Sequence, residues 1–485
     1  MSGTSKARAA GDKPRRVRAN DWSVLTAPRL GAWSPTLSVS IVVPAFRAEQ
    51  TLGQTLASLS GQTYPEHLLE VVVVDDDGGL ILPAVRPART KLIRPEASWG
   101  RANACAAGAE HSDGDVIHWL DADMLVHRSH IEAQMRWHHL IDYAVVLGHK
   151  VFVDAEVSLP APIDVRTAVK SDAVEALLGE RWSGEHEWVE RFWVRTKDLT
   201  SAGFRAHQVH VGATASVGRG LYKASGGMDR RLKRGEDIEL GFRLSSRGGV
   251  FIAERDARSW HLGRSTLMQD EQAVTRYNFA YLAHALPDLR KLRRPRGRSY
   301  RVPAYEVVVD ARQKTYEEVR YSVDGVLGAI PGDVSCLVVG PWSTLDDARR
   351  SPLTDSLLDY RLLAAEYDPE PRVELVESVP ESSYPAMLRM RLPAGWRPAP
   401  STMTSLLRDM QKRSEGLRHI MLGDGGGMVR VERTAAVERA HRVKTAQEPL
   451  DDVLEAVSFA GWFDDGAKEW FEGRHDNAGP NLTSI

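Results

Sequence analysis

The sequence predicts an α/β protein: a mostly parallel sheet flanked by helices, followed by a second, smaller α/β domain. Residues 39–76 follow the order strand, helix, strand, and the second of these strands contains four consecutive valines. A strand that is apolar on both faces is typical of a parallel sheet covered by helices. The same order of elements returns from residue 304 onward. A chain of 485 residues is long enough for two such domains.

The first elements form a βαβ unit. "SVSIVVPAF" is a short apolar run closed by Pro44, which predicts a buried strand. In "AEQTLGQTLASLSGQ", Leu52, Leu56 and Leu59 recur at helical spacing, which predicts an amphipathic helix. "LLEVVVVDDDGG" supplies the valine-rich strand. Ligands of such open sheets bind beyond the carboxyl ends of the strands.

Acidic residues follow two of the predicted strands. The triplet at 75–77 ends the valine strand, and Asp121–Ala122–Asp123 follows the run "DVIHWL". Two carboxylates one residue apart suit a hard divalent cation, which is usually shared with the phosphates of a substrate. We therefore expect Mn2+ or Mg2+ that binds together with a nucleoside diphosphate. The alternative is an accidental pair, because this short pattern also arises by chance and in helix caps.

Two later segments carry further candidates. Glu236 and Asp237 open the predicted helix "EDIELGFRLSS", where acids either favour the helix dipole or serve as a general base. His261 in "SWHLG" is either structural or a further metal ligand. Trp188, Phe192 and Trp193 predict either core packing of a helix or an aromatic platform for a sugar ring.

Composition excludes several classes of protein. Lys and Arg number 63 against 65 Asp and Glu, a formal net charge of -2, which argues against bulk nucleic-acid binding. Two cysteines build neither a disulfide framework nor a cysteine zinc site, so we expect a reducing, cytoplasmic location. No apolar run approaches the roughly 20 residues of a membrane span. The basic first 20 residues predict a disordered tail or weak peripheral attraction to an anionic membrane.

The ordered set of motifs resembles a known family. Residues 37–265 are similar to family 2 glycosyltransferases with the GT-A fold. The similarity lies in "SIVVPAF", "SLSGQTYPEHLLEVVVVDDDG", "HWLDADM", "GGMDRRLKRGEDIELGFRLSSRGG" and "SWHLG", which occur in the family's order.

The resemblance implies a role for each matching residue. In the donor site, Pro44 and Phe46 would line the base pocket, Asp76 would contact the uracil or ribose, and Arg101 would approach the diphosphate. In the metal and catalytic sites, Asp123 would be the principal metal ligand with Asp121 and His261 beside it, and Asp237 would be the catalytic base, oriented by Glu236. The implied reaction is an inverting single displacement that transfers a hexosyl group, with a UDP-sugar as the favoured donor. The acceptor hydroxyl stays open among carbohydrates, lipid carriers, peptides and small molecules.

Two other functions compete with this interpretation. A nucleotidyltransferase shares the sheet and the acids, but it usually places a glycine-rich loop after the first strand, where this chain has "PAFRAEQ". A non-catalytic sugar or nucleotide binder is the other alternative, and the presence of Asp123 and Asp237 speaks against it.

The pattern also predicts the domain organisation. We expect a basic, disordered tail and lead-in over 1–36, a GT-A domain over 37–288, a basic linker over 289–303, a degenerate GT-A-like repeat over 304–475 and a tail over 476–485. The repeat offers Gly340 and Pro341 where the first copy has Asp75 and Asp76. Aligning "IMLGDGGGMVR" with "HWLDADMLVHR" places Gly423 and Gly425 at the metal positions, with only Asp424 between them. No counterpart of "GEDIEL" is recognised after it, so we expect a non-catalytic domain with at most the nucleotide-binding half of the fold. It would pack on the first domain or mediate a homodimer.

Overall fold

A computed structural model describes most of the chain. The described residues are 14–96, 98–154, 159–179, 182–264, 270–293, 299–330, 332–423, 425–463 and 470–474. They divide into two compact units, residues 1–282 and 283–485, and each is described by itself. Within the described residues, no helix is both long and apolar enough to cross a bilayer.

The first unit alternates strands and helices. Its strands are β1 Val39–Ala45, β2 Leu69–Asp75, β3 Thr90–Ile93, β4 Val116–Trp119, β5 Met124–Val126, β6 Ala144–Val153, β7 Trp182–Glu185, β8 Ala215–Gly218 and β9 Val250–Leu262. Its helices are α1 Leu52–Leu59, α2 Arg101–Glu110, α3 His130–His138, α4 Pro162–Lys170, α5 Val174–Leu178, α6 Glu187–Arg195, α7 Arg219–Ala224, α8 Glu236–Ser246 and α9 Glu271–Leu282.

These strands form one mixed sheet in the order β3-β2-β1-β4-β8-β6-β9-β5, with β7 paired to β6. The strands β3, β2, β1 and β4 are parallel, and β8 is antiparallel to both of its neighbours. The carboxyl ends of β1, β2 and β4 therefore lie at one edge, as the sequence predicts. The predicted fold class, a mostly parallel sheet with a second α/β region, is confirmed.

The valine strand is buried as expected, but the predicted amphipathic helix is not half exposed. Residues 71–74 are fully buried in β2, and all eight residues of α1 are buried as well. The outer face of α1 is covered by α4, with Gly53 close to Pro162. A covering helix more than 100 residues away in sequence is invisible to local periodicity.

The basic lead-in is a packed segment where it is described. Val17 is fully buried, and the Asn20 amide donates to the carbonyls of Leu199 and Phe251, at 2.9 Å each. The Phe251 N–H donates back to Asn20 Oδ1 at 2.9 Å. The expectation of disorder is therefore wrong for residues 14–36. The segment lacks a regular apolar pattern, but hydrogen bonds of a polar side chain such as Asn20 hold it against the rest of the unit. The part of that expectation concerning residues 1–13 lies outside the described residues.

The second unit has its own sheet. Its strands are β10 Tyr305–Asp310, β11 Val334–Val339, β12 Val373–Val376, β13 Leu388–Arg391, β14 Trp396–Pro398, β15 Glu415–Met421, β16 Met428–Arg433, β17 Phe459–Phe463 and β18 Phe471–Gly473. Its helices are α10 Tyr316–Ala329, α11 Leu358–Tyr367, α12 Thr402–Lys412, α13 Thr434–Val443 and α14 Leu450–Val457.

The sheets of the two units share one topology. The second sheet has the order β12-β11-β10-β13-β16-β15-β17, and its strand directions match those of β3-β2-β1-β4-β8-β6-β9. The internal repeat predicted from sequence is thus visible as a repeated strand order.

The register of the repeat corrects the sequence alignment. Val39 pairs with Val116 in the first sheet, and Tyr305 pairs with Leu388 in the second. Counting on from these pairs places Pro393 and Gly395 at the positions of Asp121 and Asp123. The predicted equivalents Gly423 and Gly425 lie instead in the turn between β15 and β16, and Asp424 lies outside the described residues. The expected match of Gly340 and Pro341 to Asp75 and Asp76 agrees with the pairing of β10 and β11.

The extent of the repeat was underestimated as well. The strands β15, β16 and β17 occupy the positions of β6, β8 and β9, so the sheet continues past the nucleotide-binding half. A short turn joins β15 to β16, where the first unit inserts α4, α5, β7 and α6 between β6 and β8. Helix α14, which precedes β17, begins with two acids, Asp451 and Asp452, as helix α8 of the first unit does before β9. Asp451 forms an ion pair with Arg430.

The predicted basic linker is packed where it is described. Arg290 and Arg293 both form ion pairs with the buried carboxylate of Asp333. Arg293 is only 7% exposed. These basic residues therefore belong to the second unit, because a buried acid 40 residues later in the chain neutralises them.

Candidate active site

The turn before α2 is held by Asp76. Asp76 Oδ2 accepts the N–H of Gly100 at 2.7 Å, and Gly100 has φ +97°, a conformation that favours glycine. Burial raises the pKa of Asp76, although the Gly100 N–H and the charge of Lys233 oppose that shift. This contact fixes the start of α2 and so positions Arg101, its first residue.

Arg101 connects three carboxylates. Its Nε lies 2.9 Å from Asp121 Oδ1, and its Nη1 lies 3.0 Å from Glu236 Oε1 and 2.7 Å from Asp237 Oδ1. Burial alone would lower the pKa of Arg101, but the charges of Asp121 and Asp237 hold it well above its usual range. Residues that are more than 130 positions apart in sequence thus form one charged cluster.

The two acids of α8 differ in their surroundings. The helix begins after Gly235, which has φ +78°, and Glu236 and Asp237 form its first turn. The Glu236 side chain is 7% exposed, and burial together with the charge of Asp237 raises its pKa. The Asp237 side chain is 21% exposed and therefore open to a substrate.

A second group of donors shares Asp121. One oxygen each of Asp121 and Asp123 and one ring nitrogen of His261 all lie within 4.8 Å of one another. The antiparallel pairing of β5 with β9 sets Met124 opposite His261, and the Leu262 N–H donates to the Asp123 carbonyl at 2.8 Å. The predicted metal ligands are therefore brought together by strand pairing.

The charges and hydrogen bonds around these donors set how each could bind a cation. Burial raises the pKa of Asp123, with the charge of His261 opposing the shift. For Asp121, burial also acts to raise the pKa, but the charges of Arg101, His261 and Lys150 together lower it. His261 Nδ1 lies 3.0 Å from the carbonyl of Gly263, which can only accept, so Nδ1 carries the proton and Nε2 is free for a metal. Nε2 is 3.7 Å from Asp123 Oδ1. Two carboxylates and an imidazole oriented in this way fit Mn2+ or Mg2+.

The residues predicted for the base pocket lie at the same edge of the sheet. Pro44 pairs with Val74, and the Asp76 N–H donates to the carbonyl of Ala45 at 2.9 Å. Phe46 is 59% exposed, with the guanidinium of Arg47 5.0 Å from its ring centroid. These positions are compatible with a nucleobase site, and the roles of Pro44 and Phe46 stay predictions.

The acid beside Asp76 has a structural role. Asp75 is 4% exposed, and its carboxylate accepts the N–H groups of Asp77, Gly78 and Leu80 at 3.3, 2.8 and 3.0 Å. These bonds, together with the Arg94 side chain, close the turn after β2. The sequence does not distinguish the role of Asp75 from that of Asp76, because each role depends on the face of the strand end at which the side chain lies.

Sequence reasoning missed two residues of the site. Gly212 lies so close to the cluster that a Cβ there would be 2.3 Å from Asp237 Oδ1 and 2.9 Å from Arg101 Nη2. Lys150, on β6, is only 8% exposed, and among the acids the charges of Asp121 and Asp123 act most strongly on it. A glycine in a polar turn and a lysine within an apolar strand carry no local signal for such a place.

The aromatic segment is core rather than an open platform. Phe192 and Trp193 on α6 are 7% and 1% exposed. The packing interpretation is therefore confirmed for these two residues, and Trp188 is half-buried.

The family model and the curated relatives agree with the interpretation of the motifs. Residues 40–178 match the model of glycosyl transferase family 2. The validoxylamine A glucosyltransferase of Streptomyces hygroscopicus subsp. limoneus is 26% identical over 260 residues, which are 50% of this chain and 55% of that protein. The probable N-acetylgalactosaminyltransferase 7 of Caenorhabditis elegans is 27% identical over 259 residues, 48% of this chain and 39% of that one. A solved mannosyltransferase from Pyrobaculum calidifontis, in complex with GDP-Man and Mn2+, is 16% identical with a TM-score of 0.36, over 53% of this chain and 65% of that one.

The part of the first unit that matches glycosyl transferase family 2, residues 40–178, lies within the mixed α/β sheet. This confirms the family resemblance seen in the motifs. The chain spans about half the length of the curated relatives that it matches.

Proposed function

We propose that the first unit is a metal-dependent, inverting glycosyltransferase. It transfers a sugar from a nucleotide-diphosphate sugar, with a UDP-sugar favoured, to an acceptor hydroxyl by single displacement. The observation that carries this proposal is that Asp121 belongs to two groups at once. It contacts Arg101 together with Glu236 and Asp237, and it forms the metal group with Asp123 and His261. The family 2 match over residues 40–178 supports the same reaction class.

Asp237 is suited to act as the base. The Arg101 guanidinium holds its Oδ1 at 2.7 Å, which leaves Oδ2 to accept the proton of an incoming hydroxyl. Glu236 shares the same guanidinium and orients it. As the acceptor oxygen attacks, the bond from the anomeric carbon to the diphosphate breaks on the opposite face, so the configuration inverts.

Asp121, Asp123 and His261 would hold the cation. When bound, Mn2+ or Mg2+ would supply positive charge to the departing diphosphate. Arg101 donates a hydrogen bond to Asp121 and so fixes the orientation of this carboxylate, which is part of both the metal group and the catalytic cluster.

The test is a screen of nucleotide-sugars for hydrolysis and transfer with Mn2+, using the full chain and its Asp123→Asn variant. We expect turnover with at least one donor, its loss in Asp123→Asn, and unchanged melting of the apoprotein. Full activity of wild type in excess EDTA would contradict the role of the metal. Metal-dependent donor binding without any turnover would favour the non-catalytic binder instead.

A further inference from the structure

Lys150 lies beside the site but has no role in the proposed reaction. In the pairing of β6 with β9, Lys150 is opposite Ser259 and Phe152 is opposite His261. Residues two apart on a strand share a face, so Lys150 lies on the same face of the sheet as His261. Its Nζ is 5.4 Å from the ring centroid of Phe152, and that ring is 5.1 Å from the ring of His261.

The charge of Lys150 is not matched at close range. The residue is 8% exposed, yet no hydrogen bond or ion pair of its Nζ occurs within the described part of the chain. The carboxylates of Asp121, Asp123 and Asp237 act on it from a longer distance, and burial lowers its pKa. Arg101 differs in this respect, because its guanidinium is already shared among three carboxylates.

Burying an ammonium group without a close partner costs free energy, so such a group is expected where a bound anion can pair with it. Phosphate oxygens are acceptors of this kind, and hydrogen bonds between an ammonium and a phosphate are among the stronger ones in proteins. A nucleoside diphosphate held at Asp121 and Asp123 would bring such oxygens to the face on which Lys150 lies.

We propose that Lys150 is a fixed cation of the donor site, and that its Nζ donates a hydrogen bond to the diphosphate of the bound nucleotide. This rests on the proposed function of the first unit. The contact adds to the charge that stabilises the departing diphosphate, and Lys150 keeps its proton throughout. Arg101, which the family resemblance assigns to the diphosphate, then serves mainly to position the acids.

The test measures binding of UDP and of uridine to the full chain by titration calorimetry, in EDTA and in Mn2+. Lys150→Met keeps the length of the side chain and removes the charge. We expect it to weaken UDP binding by about tenfold or more, the range for a hydrogen bond to a charged group, and to leave uridine binding unchanged. Lys150→Arg should retain most of the UDP affinity, and Lys170→Met, at an exposed lysine of the same unit, should retain all of it.

A purely structural role predicts other results. A lysine that only packs on Phe152 would give Lys150→Met a lower melting temperature and equal losses for UDP and uridine, and that result would overturn the proposal. Unchanged UDP binding in Lys150→Met would overturn it as well. If Lys150→Met does not fold, Lys150→Gln is measured in its place against the same criteria. If wild type binds none of UDP, GDP and ADP, the proposed function fails first, and the assignment of Lys150 fails with it.

Discussion

At the scale of single residues, the site depends on how one guanidinium is shared. Arg101 touches Asp121, Glu236 and Asp237, so the metal group and the proposed base are joined through it. Three acids gathered without such a cation would repel one another, and one of them would take up a proton. The role of each acid therefore depends on the atoms of Arg101 that it contacts.

Asp237→Asn tests the proposed base. The amide keeps the shape of the side chain and cannot accept a proton from the acceptor hydroxyl. We expect kcat to fall by about 100-fold or more, the usual scale for loss of a general base, with donor binding nearly unchanged. Asp164→Asn, at an exposed aspartate in the first turn of α4, is the matched control and should leave kcat unaltered. Loss of donor affinity with kcat retained would move Asp237 to the donor site.

Gly212→Ala tests the close approach of the backbone to the cluster. The new methyl group would lie 2.3 Å from Asp237 Oδ1, so the carboxylate or the turn must shift. We expect a loss of about 1–3 kcal/mol in the free energy of unfolding, typical of overpacking, together with a lower kcat/KM. Gly220→Ala, which meets nothing within 4 Å, is the control for the same substitution. Equal activity of the two variants would show that the turn yields without disturbing the site.

At the scale of elements, two helices of the second unit differ in whether the side chain before the first turn caps the helix. Helix α10 begins with a capping box: the Glu318 N–H donates to Thr315 Oγ1 at 3.2 Å, and the Thr315 N–H donates to Glu318 Oε2 at 2.9 Å. Ser401 is the residue before α12 and makes no such side-chain bond. Thr315 and Ser401 are both hydroxyl residues before the first turn of a helix, but only Thr315 makes a capping hydrogen bond.

Thr315→Ala should therefore cost more than Ser401→Ala. We expect Thr315→Ala to lower the free energy of unfolding by about 1 kcal/mol, because the Glu318 N–H loses its side-chain acceptor and the Glu318 carboxylate loses the hydroxyl that donates to it. Ser401→Ala should change it by much less. Urea denaturation of the full chain, followed by circular dichroism, measures both. Equal losses at the two positions would mean that the capping box adds nothing to the stability of α10.

At the scale of the whole molecule, the two units have sheets with the same strand order, but the residues at the strand ends differ between them. Where the first sheet has Asp121 and Asp123, the register of the second sheet offers Pro393 and Gly395. Neither provides a side-chain oxygen for a divalent cation. The predicted roles of the second unit in packing or in dimer formation stay predictions.

We therefore expect one metal-dependent nucleotide site per chain. Titration of the full chain with UDP in Mn2+ should give a stoichiometry of one, and Asp123→Asn should remove that binding. Asp310→Asn, at the carboxyl end of β10 in the second unit, should leave it intact. Micromolar, Mn2+-dependent binding that persists in Asp123→Asn would contradict this expectation, because it would place a working site in the second unit.

The sequence by itself determined the features that depend on neighbours along the chain. Apolar runs mark β1 and β2, and the acids that follow a strand mark its carboxyl end, so Asp121, Asp123 and the neighbouring pair Asp75 and Asp76 could be found by inspection. The family resemblance chose among the roles left open for His261 and Asp237, because motif order is also a property of the chain. The repeat was visible for the same reason, as a second strand–helix–strand pattern from residue 304.

Tertiary structure alone decided which charges meet and which strands pair. Lys150 carries no local mark as a partner of a site, since its place follows from the pairing of β6 with β9. The register of the second copy was misjudged because β13 has only four residues, two of them arginines, and gives a weaker strand signal than the seven-residue β15. Local propensity reflects a few adjacent residues, whereas strand pairing and ion pairing are set by the packing of segments far apart in the chain.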